Sequence, residues 1–197
     1  MTNTAKMYDL LQENNGFLKT SDVVAAGVSR TVLGGFVREH GLERVAHGLY
    51  MSQDAWEDGM FVIQTRYPRA VFSHESALYL LSLANREPAP FSVTLKTGTN
   101  SAELSKQGVK VYKVREGLFS EGVIEARSLS GHKVRTYNAE RTICDLFRSR
   151  RNIELQVLQE AVKTYIRQKE KNIPLLMRYA KMFSVEVHVR QYLEALL

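Results

Sequence analysis

Residues 20–50 constrain this chain more than any other stretch. Gly27 separates two short helical patterns, and glycine suits the left-handed position that ends a helix. Thr20 or Ser21 is placed to cap the first helix, with Asp22 adding charge favourable to a helix start, and Ser29 is placed to cap the second. In the second helix Leu33, Phe36, Val37 and His40 recur on one face with Val32 beside them. Arg30, Thr31, Gly34 and Arg38 fall on the other face. Next, residues 42–46 and 48–51 flank a tight His47-Gly48 turn, the pattern of a small hairpin. Two helices about a tight turn, followed by a hairpin, predict a winged helix-turn-helix over residues 1–52.

Such a module reads DNA through a local basic face. Residues 1–52 hold five basic and five acidic groups, so their sum is zero, yet a face can be assembled from part of them. The candidate DNA contacts are Lys19, Ser29, Arg30, Thr31, Arg38, Arg44 and His47. Arg30, Thr31 and Arg38 are assigned to the major groove and its flanking phosphates, and Lys19, Arg44 and His47 to the wing. A neutral module of this shape also serves as a protein–protein adaptor, which is the competing expectation.

The whole chain of 197 residues carries a net charge of +6, and the excess sits late. Residues 148–171 hold seven basic and three acidic groups. Arg148, Arg151, Lys163, Arg167 and Lys171 therefore form a second candidate basic surface, the last three spaced four apart along a helix expected from Ile153 to Lys171. Between these regions, residues 70–72, 91–96, 109–114, 123–129 and 132–137 read as strands, with helices from Met60, after Ser73 and after Asn138. Pro174 opens a further helix. Ser184 is placed to cap the last one, whose apolar face is Val185, Val189, Tyr192, Leu193 and Leu196. The expected fold class is α+β: an N-terminal winged helix-turn-helix, then a mixed α/β domain with a C-terminal helical extension. Its domains are 1–52 and 53–197, the latter with a core over about 56–150 and the extension over about 151–197.

Chemistry is sparse. Adjacent residues on a helix point apart, so His74-Glu75-Ser76 is read as a polar first turn. The five histidines lack metal spacing, one cysteine makes neither a disulfide nor a zinc site, and Cys144 is read as buried packing. Glu140, Arg141 and Asp145 are read as an internal ion pair that fixes a helix to the sheet, the alternative being a partner surface. Gly34-Gly35 lacks the Lys-Ser/Thr of a phosphate loop, and no Glu-x-Lys of restriction-type nucleases occurs. The expectation is a non-enzyme without cofactor or metal. No apolar run is long enough to span a bilayer, and no cationic leader precedes one, so a cytoplasmic protein is expected.

A set of motifs then recurs in order: Gly27-Val-Ser-Arg-Thr-Val-Leu33, Leu42-Glu-Arg-Val-x-x-Gly-Leu-Tyr50, Ser73-His-Glu-Ser-Ala-Leu78 and Tyr137-Asn-Ala-Glu-Arg-Thr-Ile-Cys-Asp-Leu-Phe147. Over essentially its whole length the chain resembles the AbiEi family, antitoxins of abortive-infection, type IV toxin–antitoxin systems. One departure is at the wing tip, where Ala46-His47-Gly48 stands in place of a basic residue and glycine. The resemblance implies a repressor that binds inverted repeats in double-stranded promoter DNA. It also implies a C-terminal domain that counteracts a nucleotidyltransferase toxin, with no need for a stable complex. The alternatives are a plain winged-helix regulator with a ligand-sensing second domain, and a nuclease-derived enzyme.

Overall fold

The computed structural model describes residues 2–196; the Leu196 side chain, expected on the last apolar face, lies outside the described residues. The chain divides into two compact units. Met1–Pro68 with Arg127–Val134 make the first, and Arg69–Ala126 with Arg135–Leu197 the second. The first unit thus runs past residue 52 and takes in a distant turn.

The first unit begins with α1 (Asn3–Glu13), whose start is set by Thr2 Oγ1 accepting from the Ala5 amide. β1 (Phe17–Lys19) leads into α2 (Thr20–Ala25). Neither Thr20 nor Ser21 caps α2: Lys19 holds the cap position without a side-chain bond, and Ser21 Oγ donates to Asp22 instead. Gly27 turns the chain at φ +79, and α3 (Arg30–Glu39) starts with Ser29 Oγ accepting from the Val32 amide. β2 (Glu43–Ala46) and β3 (Leu49–Met51) follow, in a three-stranded antiparallel sheet of order β1-β3-β2. A bulge between Arg44 and Ala46 adds Val45 to β2. Met7, Leu11, Leu18, Val23, Val28, Leu33, Phe36 and Leu42 form one core of this unit. The helix expected from Met60 is α4 (Gly59–Arg66), capped by Asp58, and its Phe61 joins Phe17 and Leu49 in a second cluster.

The turn at residues 127–134 completes that cluster. His132 stacks on Phe61 at 3.9 Å between ring centroids and meets Phe17 edge-on at 5.0 Å. Its Nδ1 lies 2.7 Å from Asp58 Oδ2 and its Nε2 2.9 Å from the Asn14 carbonyl. Ser128 Oγ donates to the same Asp58 oxygen. Although burial opposes ionisation, the bonds from His132, Ser128 and the Phe61 amide hold Asp58 below the usual carboxylate range.

The second unit is built on a five-stranded sheet of order β6-β5-β4-β8-β7. Its strands are β4 (Val71–Phe72), β5 (Ser92–Lys96), β6 (Lys110–Val114), β7 (Val123–Arg127) and β8 (Lys133–Tyr137). β4 pairs antiparallel with β5 and parallel with β8, and β5 pairs parallel with β6. Two short helices, α6 (Ala102–Lys106) and α7 (Glu116–Phe119), had no clear periodic signal. α5 (His74–Leu80) follows Ser73, whose hydroxyl makes no cap bond because it is engaged with His74 and Thr94.

α8 (Ala139–Arg148) is the centre of this unit: Asn138 Oδ1 caps it through the Arg141 amide, and Glu140 to Phe147 are all buried. It packs with α9 (Leu155–Arg167), α10 (Ile173–Met182) and α11 (Glu186–Leu196) around Leu146, Phe147, Leu158, Tyr165, Leu176 and Val189. α9 ends at Arg167, so Lys171 leaves the expected helical stripe and its amine donates to the Gln168 carbonyl. Asn172, with Pro174 behind it, caps α10. Ser184 does not cap α11: it sits at φ +58 in the left-handed region, and it is the Val185 carbonyl that accepts from Val189.

Candidate nucleic-acid interface

In the first unit, α2, the start of α3 and the β2–β3 hairpin frame an open cleft of about 560 Å³. Lys19, Arg30, Arg44 and His47 line it together with Gly34 and Tyr50, and its lining residues include no carboxylate. The local reasons are legible in the chain. Ser29 fixes the first turn of α3, which presents Arg30 outward once Leu33 and Phe36 are buried. Gly48 closes the hairpin at φ +69, a left-handed conformation that favours glycine, with the Thr20 side chain beside it. The Thr20 amide donates to the Gly48 carbonyl at 2.8 Å, tying the helix start to the hairpin.

Arg44 and His47 act as a pair. The guanidinium can only donate, so Arg44 Nη2, 3.0 Å from His47 Nδ1, makes that nitrogen the acceptor in the neutral ring and leaves Nε2–H pointing elsewhere as a donor. Lys19 Nζ sits 4.5 Å above the Phe61 ring, which holds the ammonium in place. Both arrangements fix donors on the wall of the cleft. Thr31 and Arg38 are exposed on α3 but do not line the cleft, and Ser29 spends its hydroxyl on the helix start. Tyr50 and Thr65 line it as well. Tyr50 could have been found from β-strand alternation, whereas Thr65 comes from α4 and has no local signal. Its hydroxyl is buried without a partner among the described residues.

The second candidate basic surface separates into parts. Arg148 and Arg151 line one cleft, and Lys163 lines another, where its amine pairs with Glu160 at 3.2 Å. Arg167 is exposed on α9.

The triplet His74-Glu75-Ser76 is not a solvated turn. His74 and Ser76 are buried, His74 lies at φ +50, and its ring stacks on Tyr112 at 3.4 Å. Its Nδ1 meets Ser73 Oγ and its Nε2 meets Ser149 Oγ, each at 3.0 Å. Burial, reinforced by Arg141 and Arg148, pushes His74 down to about 3. Arg141 forms an internal ion pair, Nε 3.0 Å from Asp145 Oδ2, but within α8 rather than between helix and sheet, and Glu140 instead accepts from the Tyr165 hydroxyl and the Asn172 amide. Arg141 Nη1 adds bonds to the Leu118 and Glu121 carbonyls, and the guanidinium lies about 4 Å from both the Tyr137 and Phe183 rings. Cys144 is buried, and burial pushes its thiol well above the ordinary range. Among the described residues no cluster of His, Cys, Asp and Glu could hold a metal, and no helix is long and apolar enough to cross a membrane.

The architecture is of the α+β class. It is similar to the crystal structure of the RV2827C protein from Mycobacterium tuberculosis, with a TM-score of 0.59 at 11% identity, over 92% of this chain and 72% of that one. At that identity the likeness concerns the fold. No family model matches the chain, and no curated protein does.

Proposed function

We propose that the first unit is a winged helix-turn-helix that binds double-stranded promoter DNA carrying inverted repeats, and that the protein represses its own operon. The observation that carries this reading is the cleft lined by Lys19, Arg30, Arg44 and His47 with no carboxylate among its lining residues. Cations there gain from counterion release on any duplex, and Arg30 at the exposed start of α3 is placed to read base edges. Following the family resemblance, the second unit counteracts a nucleotidyltransferase toxin encoded alongside, without a lasting complex, in the cytoplasm. The protein itself is a non-enzyme that needs no cofactor. A regulator with a ligand-sensing second unit is the other reading, and the arginine-lined cleft of that unit favours it.

The test is binding of full-length protein to its own upstream DNA and to random duplex across salt. Arg30→Ala should cost roughly 1–3 kcal/mol of discrimination, whereas Lys19→Ala should weaken both duplexes alike. Equal loss on both duplexes for Arg30→Ala removes the base-reading role. For the second part, growth is scored with the neighbouring nucleotidyltransferase, co-expressed with the full chain carrying Arg30→Ala. Rescue that survives the loss of repression separates the two activities; a neighbour that is not toxic overturns the antitoxin reading.

A further inference from the structure

In the second unit the end of α8 and the start of α11 enclose a cleft of about 500 Å³. Arg148, Ser149, Arg150 and Arg151 line one side, and Ser184 and His188 the other. The three arginines are exposed, and none has a carboxylate within 4.0 Å among the described residues. Glu186, the nearest acid in the α11 sequence, is engaged with Arg190 at 2.9 Å. Three exposed guanidinium groups within four residues repel one another, with only the buried Asp145 carboxyl acting on Arg148, so this arrangement favours an anion in the cleft.

The interior holds Ser149 at the cleft wall. Thr94 Oγ1 donates to Ser73 Oγ, and Ser73 then donates to His74 Nδ1. The neutral His74 ring is left to donate from Nε2 to Ser149 Oγ. The Asp145 carbonyl also bonds the His74 ring, and Ser149 lines the cleft beside it.

We propose that this cleft binds a phosphate group, held by Arg148, Arg150 and Arg151 as charge with the Ser149 hydroxyl beside them. Guanidinium groups match the paired oxygens of a phosphate, and the volume admits a mononucleotide as well as a single backbone phosphate of DNA. The site is independent of the first unit's interface.

The experiment uses the full chain, Arg150→Gln/Arg151→Gln, and Lys113→Gln as a control outside the cleft. Thermal melting is followed with inorganic phosphate and with ADP, at constant ionic strength. A midpoint that climbs with the logarithm of either concentration in the parent and the control, with at least a tenfold loss of affinity in the double variant, supports a free phosphate ligand. If neither probe shifts the midpoint, duplex DNA is titrated across salt. A slope of log K on log salt reduced by about 2 in the double variant supports the same site filled by a DNA backbone phosphate. Shifts equal in the parent and double variant, or no shift with an unchanged slope, overturn the proposal.

Discussion

His132 and Asp58 are joined by a 2.7 Å bond between buried side chains that lie 74 residues apart in the chain. The link closes the first unit, because the same imidazole also bonds the Asn14 carbonyl and stacks on Phe61. Asp58→Asn should cost about 2–4 kcal/mol, since it leaves buried groups without their acceptor. Urea unfolding at neutral pH measures this. Asp58's acidity is increased on folding, so its contribution is present above about pH 4 and fades as the pH falls through its lowered folded value. The cost of Asp58→Asn should therefore shrink in acid.

His74 is depressed to about 3 by burial, against an ordinary value of 6.5. The unfolded chain binds the proton first, so stability from this residue is present above pH 6.5 and drains as the pH falls towards 3. Asp145 works the other way, because burial raises it to about 6 despite Arg141. Both variant and parent carry Asp145, so a comparison isolates His74. Asn tolerates the left-handed backbone at φ +50 and does not titrate. Between pH 7 and 5 the parent should lose about 2 kcal/mol relative to His74→Asn. Parallel unfolding curves at the two pH values would remove the assignment.

Arg141 is fully buried between two aromatic rings and serves Asp145 and two carbonyls at once. Arg141→Met should destabilise by about 3–5 kcal/mol, as it strands a buried carboxyl and two carbonyls. Arg141→Lys should recover only part of this, lacking the planar fork. Thermal denaturation of the two variants decides it.

Gly34 and Gly35 occupy the middle of α3, and a methyl group on either meets nothing within 4 Å. Each Gly→Ala change should stabilise by about 0.5–1 kcal/mol through helix propensity. Only Gly34 lines the cationic cleft. Gly34→Ala should therefore weaken duplex binding several-fold while Gly35→Ala leaves it unchanged, measured by titration of labelled promoter DNA.

Local patterns carried much of this architecture. The Leu33–Phe36 spacing, the Ser29 and Asn138 caps and the Gly27 turn each act within four residues, where sequence periodicity and side-chain capping are decisive. The Arg141–Asp145 pair was equally readable because i,i+4 neighbours share a helix face. Long-range partnerships had no such signature. Nothing near His132 announces Asp58 or Asn14, and nothing near His74 announces Ser149 or Tyr112. At the candidate interface, four of the seven expected residues meet in one cleft. Ser29 caps α3 and does not line the cleft, and Thr65 was missed because α4 lay beyond the expected boundary.

The membership of residues 127–134 in the first unit sets an order of events during synthesis. After Pro68 emerges from the ribosome, 66 further residues must follow before the turn bearing Ser128 and His132 is available. At about 5–20 residues per second that is a wait of roughly 3–13 s, during which Phe17 and Phe61 lack their imidazole lid. A nascent first unit is thus incomplete until residue 134 has been made, which ties the earliest appearance of its cationic cleft in finished form to translation well into the second unit.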